Sequence, residues 1–168
     1  MKNIYMFVFL AMLISGCSKG LSPEAQTKLD GMEKECFDGN LQTCLSLKKL
    51  YEFTRRYSSI DYDKQPAIIG QACKLGDMNS CYTMGVMYFR GCIVGLPRIE
   101  PDFQKAIEYS KKACEGGDKF GCMTLGQIYN NGCGVAKDTV KAEEFFKIAE
   151  RRHVGLFDTT ECPTGSCW

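Results

Sequence analysis

The chain has 168 residues, with 21 Lys and Arg against 20 Asp and Glu and a formal charge of +1. Charges this balanced, interspersed along the chain, exclude the basic face on which nucleic-acid binding depends and give no charge-driven attachment to a membrane surface. Eleven cysteines argue against a reducing cytosol, because such density persists as disulfides in an oxidising space. No C-x-x-C spacing offers zinc an alternative, so neither a metal nor another cofactor is expected.

At the N-terminus, Met1, Lys2 and Asn3 lead into an unbroken apolar run from Ile4 to Ile14, followed by Ser15, Gly16 and Cys17. A bilayer span needs about 20 apolar residues, whereas a core of roughly 7–15 behind a positive start marks a secretory signal peptide. Ile14-Ser15-Gly16-Cys17 resembles the lipobox of bacterial lipoproteins, which implies cleavage before Cys17 and a lipid anchor on it. In lipoproteins of this kind an aspartate after the cysteine favours the inner membrane. Ser18 stands there instead, so the resemblance implies outer-membrane attachment facing the periplasm. Residues 1–16 are therefore read as leader and 17–22 as an anchored linker.

Beyond the linker the cysteines set a rhythm. Cys36 and Cys44, Cys73 and Cys81, and Cys114 and Cys122 share one spacing, and a pattern recurring at about 40 residues means a solenoid. Residues 72–92 and 113–133 align closely: Ala72, Cys73, Gly76, Asp77, Cys81, Thr83, Gly85, Tyr88, Gly91 and Cys92 recur as Ala113, Cys114, Gly117, Asp118, Cys122, Thr124, Gly126, Tyr129, Gly132 and Cys133. An earlier copy keeps Cys36, Gly39, Cys44 and Tyr51, with Asn40 for Asp and Lys48 for Gly. Terminal repeats that cap a stack are expected to be atypical.

Each copy reads as two helices, the first closed by Gly76 or Gly117 and the second N-capped by Asp77 or Asp118. The predicted fold is all-α: an α/α solenoid of antiparallel helix pairs over 23–152, with repeats near 23–60, 64–95 and 102–134 and a final helix near 138–152. Within a hairpin the two cysteines lie at nearly equal distance from the turn. Their Cα atoms then come within the 4.4–6.8 Å a disulfide requires, and each bridge stabilises by roughly 2.5 kcal/mol. Gly85 and Gly126 fall mid-helix, where glycine costs about 0.5–1 kcal/mol relative to alanine; close helix approach is the expected compensation. Tyr88, Tyr129, Phe145, Phe146 and the alanines at 106, 113, 142 and 149 fall at helical spacing and read as packing residues.

The order A-C-x-x-G-D-x-x-x-C-x-x-x-G-x-x-Y-x-x-G, followed by Gly134-Val135 and Lys141-Ala142, resembles the Sel-like repeats, relatives of the tetratricopeptide repeat. A C-x7-C pair in every copy is similar to the Helicobacter cysteine-rich proteins, an exported family that builds superhelices of disulfide-linked helix pairs. Two features depart from that pattern. The stretch from Cys92 to Pro101 lengthens one connection, and Cys92, Cys133, Cys162 and Cys167 lie outside the family pairing. Cys162 and Cys167 enclose a turn-like Pro163-Thr164-Gly165-Ser166 in the 153–168 tail, which would leave Cys92 and Cys133 for each other. Equivalent positions of successive repeats stand too far apart for that second bridge unless the lengthened loop folds across, and tail-to-loop pairings are equally open.

Stacks of this kind expose a continuous concave surface that commonly holds a peptide or protein segment, so a periplasm-facing protein-binding module is the leading expectation. The first helix of each pair lines that surface in the family, which points to Gln65, Ile69, Gln104 and Glu108. Lipoproteins with such repeats also serve as immunity proteins against secreted antibacterial effectors, and nothing in the residues separates that role from adaptor work. An enzymatic reading has one anchor: Ser46-Leu47-Lys48-Lys49 matches the S-x-x-K of penicillin-recognising enzymes, some cysteine-rich relatives being described as slow hydrolases of that kind. With no S-D-N or K-T-G partner, Ser46 and Lys49 form a weak catalytic pair. His153, the single histidine, follows Arg151-Arg152 at a helix end and reads as a solvated cation rather than a base. A small repeat protein depends heavily on its bridges, so full reduction is expected to lower the thermal midpoint by roughly 10 °C or more. Circular-dichroism melts with and without reductant check this, and an unchanged midpoint would contradict it.

Overall fold

In the computed structural model, residues 21–54, 61–91, 93 and 96–151 are described. They form seven α-helices: α1 (Pro23–Phe37), α2 (Leu41–Thr54), α3 (Gln65–Lys74), α4 (Met78–Arg90), α5 (Phe103–Glu115), α6 (Lys119–Asn131) and α7 (Thr139–Arg151). A 3-10 turn, Tyr62–Lys64, leads into α3. Each helix packs on the next, α4 also reaches α6, and no strand interrupts the series among the described residues. This is the expected disulfide-stapled solenoid, with α1, α3, α5 and α7 as first helices and α2, α4 and α6 as second helices. The leader, Cys17, Cys92, His153, Cys162 and Cys167 lie outside the described residues.

The hairpin turns repeat in detail. Gly76 adopts φ 101°, a left-handed conformation that strains any side-chain-bearing residue, and Gly39 and Gly117 do the same at φ 106° and 98°. Asp77 then accepts the Ser80 N–H at 2.9 Å, Asp118 accepts those of Phe120 and Gly121 at 2.9 and 3.0 Å, and Asn40 accepts that of Thr43 at 3.2 Å. The closed turn brings the bridged cysteines together: Cα atoms lie 4.7 Å apart for Cys36–Cys44 and 4.6 Å for both Cys73–Cys81 and Cys114–Cys122. Cys133 is also buried and disulfide-bonded. The segment that carries it docks on the start of α5, where Gln104 Nε2 donates to the Gly134 carbonyl at 2.9 Å.

Between repeats, side chains of one first helix reach the C-terminal carbonyls of the preceding first helix. Gln71 Nε2 donates to the Phe37 carbonyl at 3.4 Å, and Lys112, its equivalent one repeat later, donates to the Cys73 carbonyl at 3.0 Å. A cation at that end also complements the helix dipole. Lys48 replaces the mid-helix glycine of the later copies and bridges outward instead, its ammonium donating to Asn79 Oδ1 at 2.8 Å and Ser80 Oγ at 3.2 Å beside the Asp77 carboxylate.

Of the kept mid-helix glycines, Gly126 makes room for the Phe146 ring and Gly85 for the backbone of the next helix. A Cβ on Gly85 of α4 would strike Ser110 Oγ and lie 3.1 Å from the Ser110 nitrogen. A Cβ on Gly121 of α6 would lie 2.5 Å from Ala113 Cβ, 2.8 Å from the Cys114 nitrogen and 2.9 Å from the Ser110 carbonyl. Helix α5 is thus held between two glycines, with Ala106, Ser110 and Ala113 fully buried. Gly70 is the contrast, since its Cβ would meet only the flexible end of Met84, at 4.0 Å. Gly121→Ala is therefore expected to destabilise the oxidised protein by about 1–3 kcal/mol. Gly70→Ala is expected to stabilise it by up to about 1 kcal/mol through helix propensity. Urea titration of both variants checks the pair, and equal shifts of the same sign would refute the close-approach account.

Candidate functional site

One arrangement recurs on the face of the first helices. The second helix contributes a tyrosine near its C-terminal end. An aromatic residue of the next first helix stacks on that ring, and a lysine one turn earlier sets its ammonium over it. In the second repeat Tyr88 stacks on Tyr109 with centroids 5.7 Å apart, and Lys105 Nζ lies 5.1 Å from the Tyr88 ring centre. In the third, Tyr129 stacks on Phe145 at 5.6 Å, with Lys141 Nζ 4.2 Å from the Tyr129 centre. A cation over a tyrosine face is worth about 0.5–1 kcal/mol at an exposed site. The first copy departs from the pattern: Tyr51 meets Tyr62 edge-on at 5.8 Å and donates to Glu33 at 3.0 Å, and Lys64 pairs with Glu33 at 2.9 Å. Burial, reinforced by the Glu33 carboxylate, raises the Tyr51 phenol above its ordinary pKa.

Around the third stack the surface opens into a cavity of about 220 Å³. Ile107, Leu125, Tyr129 and Phe145 supply its apolar surface, while Lys111, Glu115 and Lys141 bring charge to it. Helices α5 and α7 wall this cleft and α6 floors it. Lys111 pairs with Glu115 at 3.8 Å across one turn of α5, both largely exposed. Contact with the Tyr129 side chain, foremost, holds the Lys141 ammonium above its usual pKa, so this charge persists at any physiological pH. With an apolar floor and cations at its edge, the cleft can seat part of a chain; among the described residues no cluster of three or more metal-ligating side chains forms.

The residues expected from sequence distribute unevenly around it. Gln104 and Glu108 are exposed on α5, the helix that walls the cleft, although neither lines the cavity. Gln65 and Ile69 correct the expectation, being 0% and 1% exposed. In the repeat register Gln65 takes the place of Ala106 and Ala142, the small buried residues of the later first helices, and its amide is buried with neither end hydrogen-bonded. Ile69 corresponds to Ser110 and packs with Met84 and Met87 in the interior. Helix α3 lies between α2 and α4 and also reaches α1, which leaves these positions no outward face. Ser46 donates its hydroxyl to the Gln42 carbonyl at 2.8 Å. Lys49 is exposed one turn on, with no hydrogen bond joining the two.

A model of the Sel1 repeat matches residues 79–118 and 121–152. These two segments are Sel1 repeats. Each Sel1 match runs from a second helix through the following first helix, so Tyr129 and Lys141 fall within one unit. Among solved structures the chain is similar to Helicobacter pylori cysteine rich protein B at 28% identity and TM-score 0.53, over 81% of this chain and 95% of that one. It is also similar to a Sel1 repeat protein from Oxalobacter formigenes, at 22% identity and TM-score 0.58, over 74% of this chain and 48% of that one. A protective antigen of uropathogenic Escherichia coli with an SLR fold matches at 23% identity and TM-score 0.58, over 74% of this chain and 25% of that one. The chain thus spans about half the length of the Oxalobacter protein and a quarter of the antigen. Among curated proteins none matches.

Sequence reasoning took Tyr129 and Phe145 as packing residues only, and passed over Ile107, Lys111, Glu115, Leu125 and Lys141 as lining. The recurrence of Lys-Ala at 105–106 and 141–142 was the available signal: the alanine is buried against the preceding helix, which aims the neighbouring lysine at the tyrosine.

Proposed function

We propose that this protein is a lipid-anchored, periplasm-facing binding module that holds a segment of another protein on the face of its first helices. The observation that carries the reading is the open cleft between α5 and α7, an apolar surface with cations beside it on a rigid scaffold. Sel1 repeats are protein-interaction modules, and this cleft lies within the matched repeats. The envelope location rests on other grounds. Three C-x7-C disulfides favour an oxidising compartment, and the apolar run from Ile4 to Ile14 followed by Ser15-Gly16-Cys17 has the form of a lipoprotein leader.

Two experiments test the two halves. Metabolic labelling with a clickable palmitate analogue is expected to mark the wild-type protein and not Cys17→Ser; equal labelling, or none in either, would remove the anchor. For binding, a photo-crosslinking amino acid at Glu108, exposed beside the cleft, is expected to capture a discrete partner in intact cells, while the same group at Glu24 on α1 captures none. Identical products from both positions, or no product from position 108, would sink the module reading.

A further inference from the structure

The two aromatic–lysine stacks are equivalent in sequence and differ in what covers them. In the second repeat the described part of the long connection after α4 folds back, with the Ile99 N–H donating to the Gly91 carbonyl at 3.1 Å; the Asp102 N–H then donates to the Tyr88 carbonyl at 2.9 Å, as the Asp138 N–H does to the Tyr129 carbonyl in the third repeat. The long connection brings Ile93, Leu96 and Ile99 onto the cluster of Ile69, Met84 and Met87 that also gathers Tyr88 and Tyr109. Met84 reaches over Gly70 there. In the third repeat the connection 132–138 is shorter and carries no such aliphatic series, Leu125 stands for Met84 and Lys111 for Gly70, and the cavity opens. Among the described residues, a connecting loop therefore adds aliphatic side chains to the cluster around one stack, whereas the other is lined by helix residues such as Ile107 and Leu125.

The charges differ in the same sense. Asp102 accepts the Lys105 backbone N–H and also binds its ammonium at 3.1 Å. Asp138 accepts only the Lys141 backbone N–H, at 2.9 Å, and no described carboxylate lies within ion-pair distance of the Lys141 ammonium. The Lys111–Glu115 pair at 3.8 Å is exposed and worth little, so Lys111 exchanges partners readily. A volume of about 220 Å³ falls below the roughly 300–1,000 Å³ of clefts that enclose small-molecule ligands, and suits one side chain of a longer segment.

We infer that the cleft between α5 and α7 recognises an acidic peptide segment of a partner protein, one aliphatic side chain entering against Leu125, Tyr129 and Phe145 and a flanking carboxylate meeting Lys141 and Lys111. The inference rests on the binding-module reading and narrows it to one class of partner. The test titrates the oxidised protein with capped glycine-serine peptides carrying Glu-Leu-Glu, Lys-Leu-Lys or Glu-Gly-Glu at their centre, followed by backbone-amide, methyl and aromatic NMR. The Glu-Leu-Glu peptide is expected to shift the Leu125 and Tyr129 signals, with the other two binding at least about tenfold more weakly. Leu125→Met, which copies the filled repeat and so preserves folding, is expected to weaken it about tenfold, and Lys141→Met several-fold. Equal binding of the lysine or glycine peptide would overturn the inference, as would shifts confined to Gln104 and Glu108, which would leave the module reading standing. Absence of any shift overturns it as well; if position 108 then also captures no partner, the module reading falls with it.

Discussion

The structure depends on how closely α5 is allowed to approach its two neighbours. Glycine at 85 and 121 lets its backbone near Ser110–Cys114 come within a side chain's thickness of α4 and α6. The buried residues on α5 are correspondingly small: Ala106, Ser110, Ala113 and Cys114. In a stack this thin, burial per helix is limited, and dispersion contacts between closely approached backbones make up part of the deficit. The glycines lower intrinsic helix stability, and the left-handed glycine turn, the Asp or Asn cap and the disulfide that fix each hairpin help to offset that cost where it arises. Local reinforcement of this kind matters most in a solenoid, where each unit touches only its neighbours and cannot draw on a distant core.

The same close packing places the cleft. With Ala142 buried against α6, the first turn of α7 has one rotation open to it, and Lys141 falls over Tyr129 while Phe145, one turn on, stacks on the same ring. Position 142 and its counterparts decide how regular the arrangement is. Alanine at 106 and 142 gives the full stack, whereas Gln65, too large and too polar for the position, accompanies an edge-on Tyr51–Tyr62 contact and a lysine diverted to Glu33. A single residue type at one repeat position thus correlates with whether the neighbouring surface is regular enough to bind anything.

The helix pairs, their boundaries near the turns, the three staples and the reason for mid-helix glycine were all legible in the sequence, because each depends on local chemistry repeated at fixed spacing. Gln65 and Ile69 misled because facing was inferred from the general behaviour of first helices and not from register against Ala106 and Ser110, the residues that show which side is buried. The cleft was illegible for a different reason. A cavity is a difference between what neighbouring helices could fill and what they do fill, and this one arises from Leu125 in place of Met84, Lys111 in place of Gly70 and a shorter connection, none of which carries a motif.

That difference is also where a repeat protein acquires individuality. Periodic sequence produces periodic surface, which by itself offers several equal and weak sites. The lengthened connection of the second repeat breaks the degeneracy by bringing the chain's own aliphatic residues to one stack, so that the two stacks no longer present the same surface. Specificity is a difference in affinity between sites as much as between partners, and occupying one of two equivalent surfaces internally achieves it without any change to the scaffold. On the proposed reading the insertion belongs to the recognition apparatus even though it lies in the repeat next to the cleft, because its aliphatic residues occupy at one stack the kind of place that the partner's side chain is proposed to take at the other.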